Sequence, residues 1–491
     1  MNVATIVTAG ERDALALEEA WSGRVWSHGD LRRAAGSVQA TLAAHDVDVG
    51  DRVAVLAGNG LELFSAWLGT TARGASVTTV NLLLGPVETA AILDNLDPAV
   101  VLALPEHEER ALAGAGGRRV LDLVEASSDR DAPFAPVERA PGDAAAVGYT
   151  SGTTGPLPKG AVLSHGVLAG MIESTAAGLG LEAGDPILAF LPQFQLPAMM
   201  CSPATALALG GSCLLFERLD VPGVADAVRE RGIRYFSSVP TALYDLVVHG
   251  EGQALRFESL RVVTVGGAPV PPALRERARA VGIPAATVYG CTETAGGVAV
   301  ERIDGSEGPG SCGPPVPGVR VTVRDEASAE CPPGVDGEVC VEASRALTEY
   351  WRNPEATAAA LRDGWFHTGD VGRFDDQGRL HVVDRIKDII IRGGFNISPA
   401  EVERALVART DVAEAAVLGR PDERLGEVPV AFVVAASGAS LDPDELRAFA
   451  RGELGPFKTP AAVEVVDASF FPRTALGKVQ KVALAQRLGW R

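Results

Sequence analysis

Residues 149–160 read YTSGTTGPLPKG, a run that concentrates hydroxyls, glycines and one lysine. That composition suits a loop that holds phosphates. Glycine lets successive backbone N–H groups converge on an oxyanion, and Ser and Thr hydroxyls add side-chain donors. The groups available are Thr150, Ser151, Gly152, Thr153, Thr154, Gly155 and Lys159. The plain alternative is a flexible surface turn of the same composition. The other common phosphate loop, GxxxxGK[ST], does not fit, because Lys159 follows Pro158 and precedes Gly160. A second group, Tyr289-Gly290-Cys291-Thr292-Glu293, closes an apolar run. A tyrosine can stack on a purine, a threonine hydroxyl can reach a phosphate, and a glutamate can hold Mg2+. Ligands bind at strand ends in open α/β sheets, although a single strand-end Glu is more often just solvated.

The elements that must carry these groups are legible around them. AAAVGY from Ala144 is apolar and of strand length, Ser164 is a good N-cap, and Val167, Leu168, Met171 and Ile172 recur at helical spacing. A strand, the loop and then a helix are expected. From about Arg52 to Tyr289 short apolar runs alternate with helical segments such as Val221–Arg231 and residues 271–281. That alternation predicts layered α/β structure with largely parallel strands. From 308 to 350 Gly/Pro turns separate short alternating strands, which reads as a small antiparallel β subdomain. A second module begins near Asp384. Ser398, Pro399 and Glu401 there form a helix start with a capping box, and about 100 residues suffice for a compact α+β domain.

A chain of 491 residues exceeds a single core, which stops growing near roughly 250–300 residues. The formal charge of −19 argues against nucleic acid as a partner and against anionic membrane surfaces. The six cysteines include no CxxC pair, so reduced structural thiols are expected. The N-terminus has no basic stretch leading into a long apolar core. No apolar run reaches the ~18–20 residues that cross a bilayer. A cytoplasmic protein without membrane partners is expected.

The loop at Thr150 and the YGCTE stretch together resemble two core motifs of the adenylate-forming superfamily, which contains acyl-CoA synthetases, aryl-CoA ligases, luciferases and adenylation domains. Further segments match in family order. Gly267-Ala268-Pro269 resembles the adenine-side loop, and Trp365-Phe366-His367-Thr368-Gly369-Asp370 the ribose-binding segment. DRIKDIIIRGGFNISP from Asp384 and Pro472-Arg473-Thr474-Ala475-Leu476-Gly477-Lys478 complete the set. Each has a bland reading, a plain turn or a solvated basic tail, but the ordered set covers nearly the whole chain. The resemblance is closest to acyl- or aryl-CoA ligases.

The resemblance implies an α/β fold: a large N-terminal domain of layered α/β subdomains plus a small β subdomain, with a small mobile α+β C-terminal domain. Residues 1–384 would bind ATP and acid, and residues 385–491 would move about a hinge near Lys387. It places Tyr289 and Gly290 against adenine, Thr292 near the α-phosphate, Glu293 on the metal, and Asp370 and Arg385 on ribose and phosphate. Lys478 would bridge the substrate carboxylate and the α-phosphate. Gly393, Gly394 and Phe395 would face the acceptor, and His367 is structural. The implied activity is ATP- and Mg2+-dependent activation of a small carboxylic acid as acyl-AMP, releasing pyrophosphate, followed by transfer to CoA.

Phe194, Gln195, Met199, Val239, Pro240 and Gly297 are expected to line the acyl pocket, with small residues leaving volume open and an aromatic or medium-chain acid favoured. Three departures bear on this. Pro156 and Leu157 both precede Pro158, where one residue is usual; Gln195 stands where His is common; and the stretch after Gly337 lacks the customary Arg-Gly-Pro. They keep open an amine or other small nucleophile as acceptor. A non-catalytic ATP-binding relative is the lesser alternative. The identity of the acid, the pathway and the oligomeric state stay open.

Overall fold

The apolar runs do form parallel strands, and they build two sheets. The structure is a computed structural model. It describes residues 1–490 apart from 130–131, 151–157, 268–269, 305–307, 309, 393–394, 474–476 and 478, and omits the side chains of Lys387, Phe395 and Asn396. The chain divides into two compact units. One holds most of the chain to Val321 together with Val341–His367; the other holds Thr322–Cys340 and the chain from Thr368 onward.

In the first unit an eight-stranded sheet runs Gly296–Val300, Ala285–Cys291, Val262–Val265, Tyr235–Ser238, Ile187–Ala189, Cys213–Leu215, Leu15–Glu19, Val25–Ser27. Its strands are parallel except at the two edges. Adjacent residues serve opposite faces: Tyr235 packs in one apolar cluster and Phe236 in another. Burial on both faces is what a parallel sheet requires.

The seven-stranded sheet runs Glu349–Tyr350, Gly160–Ser164, Ala144–Tyr149, Ser76–Thr79, Arg52–Leu56, Val100–Ala103, Arg119–Asp122. Here the sequence expectation needs correcting. The glycine-rich loop leads first into Gly160–Ser164, antiparallel to Ala144–Tyr149, and only then into the helix His165–Leu179. Ser164 caps that helix as expected, accepting from Val167 N at 3.2 Å. A second difference concerns residues 349–350. They leave the small β region and become the sheet's edge, with Tyr350 opposite Ala161.

His165, at the start of this helix, is fully buried and its Nδ1 accepts from Val3 N at 3.1 Å. Burial, aided by the nearby Arg139 guanidinium, pulls its pKa down to about 4. The ring is neutral at physiological pH.

The C-terminal strands of the second unit follow the order Phe395–Ile397, Ile390–Arg392, Gly426–Ala435, Val412–Asp422, with Ala462–Val465 parallel to Gly426–Ala435. Helices Pro399–Val407 and Pro443–Lys458 pack their Val402, Leu406, Leu446 and Ala450 side chains into one core with these strands. Ser398 caps the first helix, accepting from Glu401 N. The reciprocal half of the box is absent: the Glu401 carboxylate pairs with Lys458 Nζ at 2.6 Å, while Asp384 Oδ2 accepts from the Ser398 hydroxyl at 2.6 Å and from Ala400 N at 3.0 Å. None of the six cysteines is joined in a disulfide. Among the described residues no helix is long and apolar enough to cross a membrane.

Candidate active site

The glycine-rich loop is a hairpin connection. Thr150 N donates to Lys159 O at 2.9 Å, which closes its base. The strand Ala144–Tyr149 is fixed by Tyr149, whose hydroxyl donates to Asn95 Oδ1 at 2.7 Å; burial pushes that phenol's pKa up. Asn95 also accepts, through its backbone carbonyl, from the Trp351 indole at 3.0 Å.

The second motif meets this hairpin. Ala285–Cys291 ends in the short turn Thr292–Thr294. A Cβ added at Gly148 would lie 2.8 Å from Thr292 Cγ2, so the absence of a side chain at Gly148 lets Thr292 seat against the hairpin. Gly290 serves a similar end, since a Cβ there would fall 1.9 Å from Gly296 O, where strand register shifts between Tyr289 and Gly290. Thr294 Oγ1 pins the turn by donating to Gly296 O at 2.8 Å.

Glu293 is half-buried at the turn, and its backbone carbonyl accepts from Leu347 N at 2.7 Å. Its carboxylate accepts from the Tyr350 hydroxyl at 2.8 Å. The Lys159 ammonium sits 4.8 Å from the centroid of the same tyrosine ring, within cation–π range. Sequence reasoning passed over Tyr350. Its only signal was an aromatic pair, Tyr350-Trp351, closing a stretch otherwise noted for a missing Arg-Gly-Pro.

As to a metal, the half-buried Glu293 carboxylate is a hard oxygen donor of the kind that holds Mg2+, which is ordinarily bound by one or two carboxylates plus substrate phosphates. Gly267 follows the strand Val262–Val265 with φ +82°, a conformation that favours glycine.

Asp370 and Arg385 belong to the second unit and face each other across antiparallel strands, with Arg385 Nε 2.9 Å from Asp370 Oδ1. Asp370 is almost fully buried, its backbone N–H held by Thr368 Oγ1 at 3.1 Å. Lys387 lies in the short turn Ile386–Asp388, and Phe395 opens the strand Phe395–Ile397. Ser151, Gly152, Thr153, Thr154, Gly155, Ala268, Pro269, Gly393, Gly394 and Lys478 lie outside the described residues.

Phe194 and Gln195 lead into the short helix Leu196–Met199, and Thr79 Oγ1 fixes Phe194 by donating to its carbonyl at 2.7 Å. Met199 packs into the larger apolar cluster, whereas Val239, the N-cap before Pro240, packs against the cluster on the other sheet face. The small residues do not leave volume open as expected. A Cβ at Gly297 would lie 2.4 Å from Val288 Cγ2, and one at Gly296 3.0 Å from Met171 Sδ and 3.1 Å from Cys201 Sγ. These glycines admit close packing, and their space is already filled. Glu342, where a positive residue is common, accepts from Arg320 at 3.3 Å.

The sequence profile of the AMP-binding enzyme family matches residues 6–351, and that of the AMP-binding enzyme C-terminal domain matches residues 401–478. A feruloyl-CoA synthase of Amycolatopsis sp is 37% identical over 472 residues, 95% of each chain. The ATP-bound structure of MatB from Rhodopseudomonas palustris superposes with a TM-score of 0.92 at 30% identity, over 99% of both chains. The amide bond synthetase McbA from Marinactinospora thermotolerans gives 0.89 at 31% identity, again over 99% of both.

Proposed function

The chain belongs to the AMP-binding enzyme family, and from that premise we propose that it is an AMP-forming acid:CoA ligase acting on an aromatic carboxylic acid. The observation that supports this best is the meeting of two distant motifs in one unit. The base of the hairpin at Thr150 and Lys159 and the Thr292–Glu293 turn abut at Gly148, which supports a reading in which the glycine-rich loop meets phosphates near a carboxylate able to hold a metal.

In this reading the 150–155 loop and Lys159 receive the phosphates of ATP, and Tyr289 and Gly290 bound the adenine. Asp370 accepts from the ribose hydroxyls, and Arg385, its partner, contacts ribose and phosphate. The acid's carboxylate attacks the α-phosphorus and pyrophosphate departs. Lys478 contributes the cation that offsets charge on the α-phosphate, the kind of electrostatic aid on which such transfers depend. Mg2+, when bound at Glu293, supplies further neutralisation of phosphate charge. The 385–491 domain then turns about Lys387, presenting Gly393, Gly394 and Phe395 so that the CoA thiol displaces AMP. A hinge needs only a few residues that absorb φ/ψ change.

Acid-dependent ATP–pyrophosphate exchange across a panel of aryl and acyl acids tests the reading. Exchange with at least one acid is expected, and Lys478→Ala should abolish it. Absence of exchange with every acid, or full exchange in the variant, would overturn the assignment. A second reading, transfer to an amine, is favoured by Gln195 in the usual His position and by the likeness to an amide bond synthetase. Supplying CoA or amines to the activated acid and weighing the products separates the two.

A further inference from the structure

Tyr350 touches both charged groups that the glycine-rich hairpin and the strand-end turn bring together. Its hydroxyl donates to Glu293 Oε1 at 2.8 Å, and the face of its ring carries the Lys159 ammonium at 4.8 Å. The side chain is only 5% exposed, and its backbone is zipped to the hairpin on both sides. Thr348 N donates to Val162 O at 2.8 Å, Trp351 N to Gly160 O at 2.7 Å, and Leu347 N to Glu293 O at 2.7 Å. The Trp351 ring itself has the Arg52 and Arg352 guanidinium groups 5.0 and 5.6 Å from its centroid. A phenol anchored this firmly has little freedom to follow a moving carboxylate. It dictates where the carboxylate sits.

We infer that Tyr350 is a positioning residue for the nucleotide–metal site: its hydroxyl holds Glu293 through Oε1 and would leave Oε2 available to a metal, and its ring holds Lys159 where it stays available to phosphate. The inference rests on the assignment of Glu293 as the Mg2+ ligand. Two physical effects support it. A hydrogen bond from a neutral hydroxyl orients a carboxylate without cancelling the charge that draws the cation, whereas a direct Lys–Glu pair would neutralise it. A ring face, equally, attracts an ammonium without using its N–H donors as fully as a carboxylate would. Among the described residues the Glu293 carboxylate accepts from this hydroxyl and forms no ion pair.

The test is calorimetric titration of the full-length protein with α,β-methylene-ATP, which cannot be cleaved at the reacting bond, with and without Mg2+. The readout is the Mg2+-dependent gain in nucleotide affinity, so it requires no knowledge of the acid. Tyr350→Phe keeps the ring and deletes the donor. It should lower the gain about tenfold, the effect usual for losing an outer-shell partner of a metal ligand, while metal-free affinity stays as in the parent. Tyr350→Leu should lower metal-free affinity as well, because Lys159 loses its platform. Glu293→Gln should abolish the gain. If Tyr350→Phe retains the parental gain while Glu293→Gln loses it, the positioning role is wrong and the metal assignment stands. If Glu293→Gln retains the gain, the metal assignment is wrong and the inference falls with it. Thermal melting of each variant identifies any that has lost its fold, and the conservative Phe variant then decides the matter.

Discussion

Glutamine can hydrogen-bond but carries neither a proton nor a charge near neutral pH, so Gln195, if it lines the acyl pocket as proposed, limits the chemistry available there. It stands immediately before the helix Leu196–Met199, next to a Phe194 whose carbonyl is already held by Thr79. The backbone there is fixed, and only the side chain is free to differ. Gln195→His should therefore raise thioester formation relative to adenylation, by several-fold, without a comparable change in pyrophosphate exchange. Parallel measurement of acyl-CoA by mass and of exchange by label checks this. An equal change in both would mean that residue 195 acts on the acid and not on the acceptor. At this scale the glycines were misjudged in the sequence. Gly297 looks like open volume in one dimension, but Val288 occupies that space in three.

The hairpin and the strand-end turn fit together because of one residue that no motif contains. Gly148→Ala would put a methyl 2.8 Å from Thr292 Cγ2, tighter than van der Waals contact allows, so the turn must shift. Overpacking of this kind costs about 1–3 kcal/mol. Exchange activity should fall at least tenfold, with a Tm loss of several degrees, and an unchanged rate would show that Thr292 tolerates the displacement. Much else at this scale was legible: the alternation of apolar runs and helices from about Arg52, the helix Val221–Arg231, and the caps at Ser164 and Ser398 all appear where spacing placed them. Local chemistry specifies such elements. The strand Gly160–Ser164 was missed because five residues between a loop and a cap carry too little periodicity to separate from either. Tyr350 was missed for a different reason: its partner Glu293 is 57 residues away in the chain, and that pairing exists only once the sheet has formed.

Across the whole molecule, acid stability should bear the mark of His165. In the fold its pKa is about 4, against an ordinary 6.5, because burial disfavours the imidazolium. As pH falls, the unfolded chain takes up this proton first. The contribution is therefore complete above about pH 6.5 and is lost progressively down to about pH 4. His165→Leu should be less stable than the parent at pH 7.5, because Val3 N loses its acceptor, yet lose less Tm between pH 6.5 and 4. Identical slopes for the two proteins would refute this. The edge strand Glu349–Tyr350 has a consequence for biosynthesis as well. Gly160–Ser164 is buried at every position, yet its outer neighbour leaves the ribosome almost two hundred residues later. Until then the nascent chain carries an apolar strand with unmatched amide groups, the kind of surface that recruits chaperones or pairs with another copy. Premature termination upstream of that dipeptide would leave the vulnerability permanent.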